Sequence, residues 1–191
     1  MKRHVLSLAV LSFALGAASA AEPGIGQREG TRMFVDDDAI ARREGVSRRL
    51  HPCAKLDKPV LVPQEPWEGD SDDARVYLYG TVLDGGPDGA LRMWYNRLYD
   101  NLYATSTDGI DWKRPDLGLV TFEGSTHNNL LPLRLHSPSV IFDPLDKDPN
   151  RRYKMAGSAG KRIGYCSSLS PDGLHWTPPK LIVPGSDTCT L

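Results

Sequence analysis

Two stretches decide the fold: Ser106-Thr107-Asp108-Gly109-Ile110-Asp111-Trp112 and Ser170-Pro171-Asp172-Gly173-Leu174-His175-Trp176. They lie 64 residues apart and share Ser, Asp-Gly and Trp at the same spacing. In such a turn the Asp carboxylate accepts backbone N–H groups, the Gly adopts a positive φ, and the Trp packs beneath the hairpin. We interpret the motif as a turn staple, a device for folding, in preference to a catalytic Asp or a sugar-stacking Trp.

The similarity extends outward from both stretches. Tyr103-Ala104-Thr105 precedes the first and Tyr165-Cys166-Ser167 precedes the second. Further upstream, Val76-Tyr77-Leu78-Tyr79 aligns with Val140-Ile141-Phe142-Asp143. A unit of about 60 residues that recurs in this way indicates a repeat architecture.

Each unit has the pattern of four short strands. Short β-branched and aromatic runs alternate with turns rich in Gly, Pro and Asp, which is typical of antiparallel strands. The predicted strands of the first unit are Val76–Val82, Leu91–Tyr95, Leu102–Ser106 and Leu117–Phe122. Those of the second are Ser139–Phe142, Tyr153–Ala156, Ile163–Ser167 and Leu181–Val183. The predicted fold class is therefore all-β, with units like propeller blades, and one short helix is predicted at residues 37–49.

Composition excludes several classes of protein. The 191 residues are 40% hydrophobic and 25% charged, with a net charge of −1. These values are ordinary for a globular protein and exclude a disordered chain, a collagen-like repeat and a polytopic membrane protein. The near-zero charge also argues against nucleic acid as a partner.

The first twenty residues predict export. Lys2, Arg3 and His4 form a basic start, and an apolar run follows from Val5 to Ala18. Ala18-Ser19-Ala20 then supplies a cleavage site of small residues, which completes the pattern of a signal peptide cleaved near Ala20. The apolar run is too short to span a bilayer, so we expect a secreted or periplasmic protein without a membrane anchor.

The sequence points to no cofactor and no metal. Cys53, Cys166 and Cys189 are widely spaced and form no C-x-x-C pair, so neither a zinc cluster nor a redox motif is predicted. Two arrangements are possible in the exported chain: one disulfide with one remaining thiol, or three buried thiols. Acidic residues cluster at positions 70, 72 and 73 without the spacing of a calcium loop. The sequence also lacks a glycine pattern for a nucleotide.

Several short motifs resemble a group of secreted bacterial proteins related to the N-terminal domain of glycoside hydrolase family 32. The motifs are Phe34-Val35-Asp36-Asp37, Pro66-Trp67-Glu68-Gly69, Tyr79-Gly80-Thr81-Val82, Arg92-Met93-Trp94-Tyr95 and Ser137-Pro138-Ser139-Val140. This group belongs with the five-bladed propeller glycosidases of families 32, 43 and 68. The resemblance implies a partial five-bladed β-propeller, with about two four-stranded antiparallel blades and the start of a third. It also implies acidic residues that meet in a central funnel.

The chain departs from the family at the positions where those acids are expected. The Asn-Asp-Pro and Arg-Asp-Pro signatures of family 32 are absent, and Trp67-Glu68-Gly69-Asp70 and His136-Ser137-Pro138-Ser139 stand at the starts of the two blades. A third blade would begin at Asp187-Thr188. Glycoside hydrolysis needs two carboxyl groups, about 5–5.5 Å apart for retention or 6.5–9.5 Å for inversion.

Glu68 and Asp187 are the predicted catalytic residues, since each would lead into an inner strand. Apolar surroundings beside Trp67 are expected to raise the pKa of Glu68, as a general acid requires. Trp67, His136 and Trp94 are the predicted substrate-binding residues. For each of these residues a structural role is the competing interpretation, because exposed carboxylates, satisfied histidines and packed tryptophans are common.

The predicted organisation has three parts. Residues 1–20 form the signal peptide, residues 21–65 lead into the propeller, and residues 66–191 form an incomplete propeller. Within the propeller, blades are expected at 66–130 and 131–185, and a third begins at 186–191. Two blades leave a sheet edge and an apolar face uncovered. The sequence is therefore expected to be the front part of a larger chain, and a chain that truly ended at Leu191 would have to form oligomers.

Two functions follow as hypotheses. The first is a secreted carbohydrate-active enzyme that hydrolyses glycosidic bonds of an oligo- or polysaccharide with paired carboxylates in the funnel. The second is a non-catalytic propeller that binds glycans or a partner protein. The sequence specifies neither the sugar nor the linkage.

Overall fold

A computed structural model describes residues 42–69, 72, 74–84 and 89–190. The predicted signal peptide, the motif at residues 34–37 and the acidic residues 70 and 73 lie outside the described residues, as do residues 37–41 of the predicted helix. Residues 42–49 contain no helix, so this part of the helix prediction is wrong. The chain divides into two units, Met1–Ala54 and Lys55–Leu191. The described part of the first unit is exposed and has no strand or helix.

The second unit consists of two four-stranded antiparallel sheets, each with its strands in chain order. The first sheet contains β1 (Tyr77–Leu83), β2 (Leu91–Arg97), β3 (Asp100–Ser106) and β4 (Leu130–Arg134). The second contains β5 (His136–Phe142), β6 (Tyr153–Ser158), β7 (Tyr165–Ser170) and β8 (Lys180–Val183). Short 3₁₀ turns lie at Pro66–Glu68 and Pro149–Arg151. The all-β prediction is confirmed; two such sheets are compatible with propeller blades, and the number of blades stays a prediction.

The fourth strand of the first sheet is not where its sequence pattern predicted. Leu117–Phe122 is a loop, and β4 is supplied by Leu130–Arg134. Residues 117–128 fold back on themselves, and the Asn128 Nδ2 group, which donates to the Val120 carbonyl at 2.8 Å, holds this loop together. The apolar side chains of this loop pack against the two faces of the first sheet. The loop backbone does not add a strand to that sheet.

Both turn staples are confirmed and have the same hydrogen bonds. In the second, the Ser170 hydroxyl accepts the Gly173 N–H at 2.9 Å, and Asp172 Oδ1 accepts the N–H groups of Leu174 and His175 at 2.8 Å each. Trp176 Nε1 donates to the Gly173 carbonyl at 2.9 Å. The corresponding bonds in the first staple measure 2.9, 2.8, 2.8 and 3.0 Å.

The core between the two sheets forms around Trp94. Adjacent residues of a strand point to opposite faces, so Trp94 faces the second sheet while Met93 and Tyr95 face away from it. The Trp94 ring contacts Tyr103 within its own sheet and Tyr153 in the other. Its Nε1 donates to the Gly173 carbonyl at 2.8 Å. The first sheet is therefore joined to the second through the second turn staple.

The first strands of the two sheets, β1 and β5, lie against each other, and we call them the inner strands. The Val140 N–H of β5 donates to Thr81 Oγ1 of β1 at 2.9 Å. Gly80 brings the two strands together with β2, because a Cβ at this position would lie 1.9 Å from the Trp94 carbonyl oxygen. The arrangement places the starts of both inner strands at the same end of the unit.

Replacing Gly173 with Ala should destabilise the protein more than replacing Gly109 with Ala. Both glycines have a positive φ, 80° and 75°, so both substitutions carry the backbone cost of about 1–2 kcal/mol. Only at Gly173 would the new Cβ also lie 2.6 Å from the Trp94 ring. Free energies of unfolding from urea denaturation would measure the difference, and equal losses for Gly173→Ala and Gly109→Ala would contradict the packing described here.

Candidate functional site

The five predicted site residues lie in different parts of the second unit. Trp67 and Glu68 lie together in the 3₁₀ turn, against the face of the first sheet that points away from the second. Trp94 lies in the core on the other face of that sheet. His136 begins β5, and Asp187 follows β8 as an exposed residue. Trp67 and Glu68 therefore share one element, whereas the two predicted catalytic residues, Glu68 and Asp187, belong to different ones.

The Glu68 carboxylate is fully buried and accepts five hydrogen bonds. Oε1 accepts from Tyr95 Oη at 2.7 Å and from Arg114 Nε at 2.8 Å. Oε2 accepts from Arg114 Nη2 at 3.1 Å and from the N–H groups of Gln64 and Glu65 at 2.8 and 3.2 Å. The side chain of Glu68 has 0% exposure and that of Arg114 has 8%. Both carboxylate oxygens are thus occupied by protein groups.

The pKa of Glu68 moves opposite to the expected direction. Burial by itself raises the pKa, but the hydrogen bonds from Arg114, Gln64 and Tyr95 outweigh burial, and the net pKa is lowered. The prediction of a raised pKa for Glu68 is wrong because hydrogen bonds from charged and polar groups, and not the apolar ring of Trp67, dominate the surroundings of the carboxylate. In the same cluster burial and the nearby Glu68 charge raise the pKa of Tyr95. Glu68 is consequently held as a carboxylate beside a neutral tyrosine, which suits a buried ion pair and not a general acid.

The indole of Trp67 belongs to the same polar network. Its Nε1 donates to Asn129 Oδ1 at 2.6 Å, and Asn129 Nδ2 donates to Tyr95 Oη at 2.7 Å. The ring also contacts Phe122 edge-on and lines a groove of about 820 Å³ between the 3₁₀ turn and β4. Sequence reasoning missed Arg114 and Asn129, because both partners come from a loop more than 40 residues from Glu68 and no local spacing connects them.

Trp94 lies in the core between the two sheets. Its side chain is fully buried, and its only N–H group donates to Gly173. This placement gives Trp94 the packing role that competed with its predicted substrate-binding role.

Half-exposed aromatic side chains gather at the starts of the inner strands. Tyr77 and Tyr79 of β1 stack at 5.3 Å, and Tyr79 lies 5.7 Å from the His136 ring of β5. Tyr99, in the turn between β2 and β3, lies 5.9 Å from the same ring. Tyr79 is 52% exposed and Tyr99 is 39% exposed. We call Tyr77, Tyr79, Tyr99 and His136 the aromatic cluster; of its members sequence reasoning found only His136, although the two-residue spacing of Tyr77 and Tyr79 predicts a shared face.

A cleft of about 290 Å³ adjoins the aromatic cluster between the inner strands. Thr188, Cys189 and Thr190 close its third side, immediately after Asp187. Burial raises the pKa of the Cys189 thiol, which keeps the thiol neutral. We call this space the inner-strand cleft; its lining side chains are neutral.

Three further properties concern only the described part of the chain. It contains no group of three or more His, Cys, Asp or Glu side chains arranged to hold a metal ion. None of its helices is long and apolar enough to cross a membrane. Among its residues Cys53, Cys166 and Cys189 are free thiols.

The comparisons with known proteins found no matching family model, no matching curated protein and no matching solved structure. The resemblance to the five-bladed glycosidases therefore stays a prediction.

Replacing Glu68 with Gln should destabilise the fold by about 3–5 kcal/mol, because it leaves the buried Arg114 guanidinium without a counter-charge. The matched control is Asp100→Asn, which breaks the more exposed pair between Asp100 and Arg134 at 2.9 Å. An exposed pair of this kind contributes at most about 1 kcal/mol. Urea denaturation measures both losses, and a similar small loss for the two variants would contradict a stabilising role for the Glu68 network.

The Glu68 pair should also make stability depend on acid pH. Because the folded-state pKa of Glu68 lies below its ordinary value of 4.5, the unfolded chain binds more protons between these two values. The contribution of Glu68 is complete above pH 4.5 and is lost as the pH falls through the folded-state pKa. Carboxyl-carbon NMR should give a Glu68 midpoint below 4.5 that moves upward in the Arg114→Met variant. A midpoint at or above 4.5 in the original protein would contradict this assignment.

Proposed function

We propose that the protein binds carbohydrate, and that the glycan stacks on the aromatic cluster at the starts of the inner strands. The observation that carries the proposal is the half-exposed ring of Tyr79, which stands between Tyr77 and His136. Large aromatic side chains that remain exposed as a group favour a binding surface over a packing role.

The chemistry of the cluster suits a sugar ring. A pyranose has an apolar face of C–H groups and a rim of hydroxyl groups. A tyrosine offers the matching combination of an apolar ring and a polar hydroxyl. The imidazole of His136 has its Nδ1 3.3 Å from the Leu98 carbonyl, which orients the ring and leaves Nε2 for a hydroxyl of the ligand.

The position of the two predicted acids favours binding over hydrolysis. Hydrolysis of a glycosidic bond requires two carboxyl groups within about 10 Å of each other at the scissile bond. Glu68 is sealed against the other face of the first sheet, away from the aromatic cluster. Asp187 directly precedes Thr188, which lines the inner-strand cleft. If the protein also hydrolyses the glycan, Asp187 is therefore the predicted acid that would take part.

Truncating the aromatic cluster should weaken binding. A printed array of oligosaccharides would first identify a bound glycan, and calorimetry would then compare the original protein with Tyr79→Ala and Tyr99→Ala. We expect each substitution to weaken the affinity roughly tenfold or more, since stacking on one aromatic side chain contributes about 1–3 kcal/mol in comparable ring-on-ring contacts.

The matched control is Phe142→Ala, which removes an exposed aromatic ring at the opposite end of β5. Its affinity should equal that of the original protein. An array without any bound glycan, or equal losses in Phe142→Ala and Tyr79→Ala, would overturn the proposal.

The hydrolytic version can be tested on the same glycans. Release of reducing ends by the original protein and its loss in Asp187→Asn, with binding retained, would support hydrolysis with Asp187 as one of its acids. Binding without release of reducing ends would support the binding module alone. Export is a separate part of the proposal, and the N-terminal sequence of the mature protein would test cleavage near Ala20.

A further inference from the structure

The turn between β6 and β7 carries two adjacent basic residues at its tip. The N–H groups of Ile163 and Gly164 both donate to the Gly160 carbonyl, at 3.0 and 2.9 Å. These two backbone hydrogen bonds close the turn around Lys161 and Arg162, which lie between the bonded residues. We call this segment, residues 160–164, the basic turn.

The basic turn lies beside the aromatic cluster. β5 pairs with β6 so that His136 lies opposite Ser158, the last residue of β6 before the turn. Tyr99 approaches the turn itself, because a Cβ at Gly160 would lie 3.4 Å from the Tyr99 hydroxyl oxygen. The two basic residues follow Gly160 directly in the chain. They are therefore close to two members of the cluster, His136 and Tyr99.

The two basic residues have no charge partner among the described residues. Lys161 and Arg162 are both exposed, and neither makes a hydrogen bond or an ion pair within the described part of the chain. Asp100, the first residue of β3, is already paired with Arg134 at 2.9 Å. Asp187 adds one carboxylate beside the inner-strand cleft, against two cations at the turn. The cations of the basic turn are thus available to a ligand that lies on the exposed aromatic rings.

We propose that the glycan bound by the aromatic cluster is anionic, and that Lys161 and Arg162 bind its carboxylate or sulfate groups. This inference rests on the proposed function, because the cluster supplies the stacking surface and the basic turn supplies only the charge. The guanidinium of Arg162 offers a planar fork of N–H groups that can bind an oxyanion through two hydrogen bonds, and the ammonium of Lys161 offers a point charge on a flexible stem. Both side chains are exposed, so a ligand reaches them without rearrangement of the fold.

Removing the two charges should weaken the binding of an anionic glycan. An array of neutral, uronate-bearing and sulfated oligosaccharides would identify the best ligand and show which anionic group it carries. Calorimetry on that ligand would then compare the full original chain with the double variant Lys161→Gln/Arg162→Gln. We expect the affinity to fall about tenfold, since each exposed charge pair makes a modest contribution to binding. Stability in urea should be unchanged in the double variant, because neither side chain has a partner among the described residues.

The matched control is Arg151→Gln/Arg152→Gln, which removes two adjacent exposed cations at the opposite end of β6 from the basic turn. Both double variants change the net charge by the same amount, so the comparison separates a local contact from a general attraction of the whole protein for an anion. The control should keep the original affinity. Added salt should weaken binding by the original protein and the control alike, and should have less effect on Lys161→Gln/Arg162→Gln, because salt screens charge pairs at the surface.

Each outcome is decisive. A preference for uronate-bearing or sulfated glycans, with a loss of affinity in Lys161→Gln/Arg162→Gln and none in the control, supports the inference. A preference for neutral glycans, no preference, or equal affinities in the two double variants overturns the inference and leaves the proposed function intact. Anionic binding that is unchanged in Tyr79→Ala and Tyr99→Ala overturns both, because charge then holds the ligand without stacking. The absence of binding to any glycan also overturns both.

Discussion

The position of the Trp94 indole is the constraint on which the two-sheet arrangement depends. The ring fills the space between the sheets, and its N–H group donates to the Gly173 carbonyl of the second turn staple. Both contacts require that position 173 carry no side chain, because a Cβ there would overlap the ring. With the sheets held in this way, β1 and β5 lie side by side and form the inner-strand cleft.

A second interaction fastens the segment that precedes the sheets. The carboxylate of Glu68 and the guanidinium of Arg114 are buried together, and Tyr95 and two backbone N–H groups complete the coordination of the carboxylate. A buried ion pair of this kind does not add much stability over an apolar pair, but removing one partner is costly. The network therefore ties the 3₁₀ turn and the loop at 114–129 to one face of the first sheet.

The proposed binding surface rests on features that folding does not need. Tyr79 and Tyr99 leave much of their rings in solvent, and Ser137 buries a hydroxyl group on a strained backbone. The turn staples and the Trp94 core are, in contrast, fully satisfied. The sheets thus pack around satisfied groups, whereas the starts of the inner strands keep half-exposed rings and a buried hydroxyl group without a partner among the described residues.

The amino-acid sequence by itself determined the local structure. The Ser-x-Asp-Gly-x-x-Trp motif specifies its turns through groups within seven residues, and alternating β-branched and aromatic residues specify seven of the eight strands at nearly their observed positions. Only the tertiary structure decided that Leu130–Arg134 forms β4, that Arg114 neutralises Glu68, and that Ser137 is buried without a partner. The physical reason is range: a turn is satisfied by its own neighbours, whereas a strand edge, a buried charge and a buried hydroxyl group depend on residues that are distant along the chain.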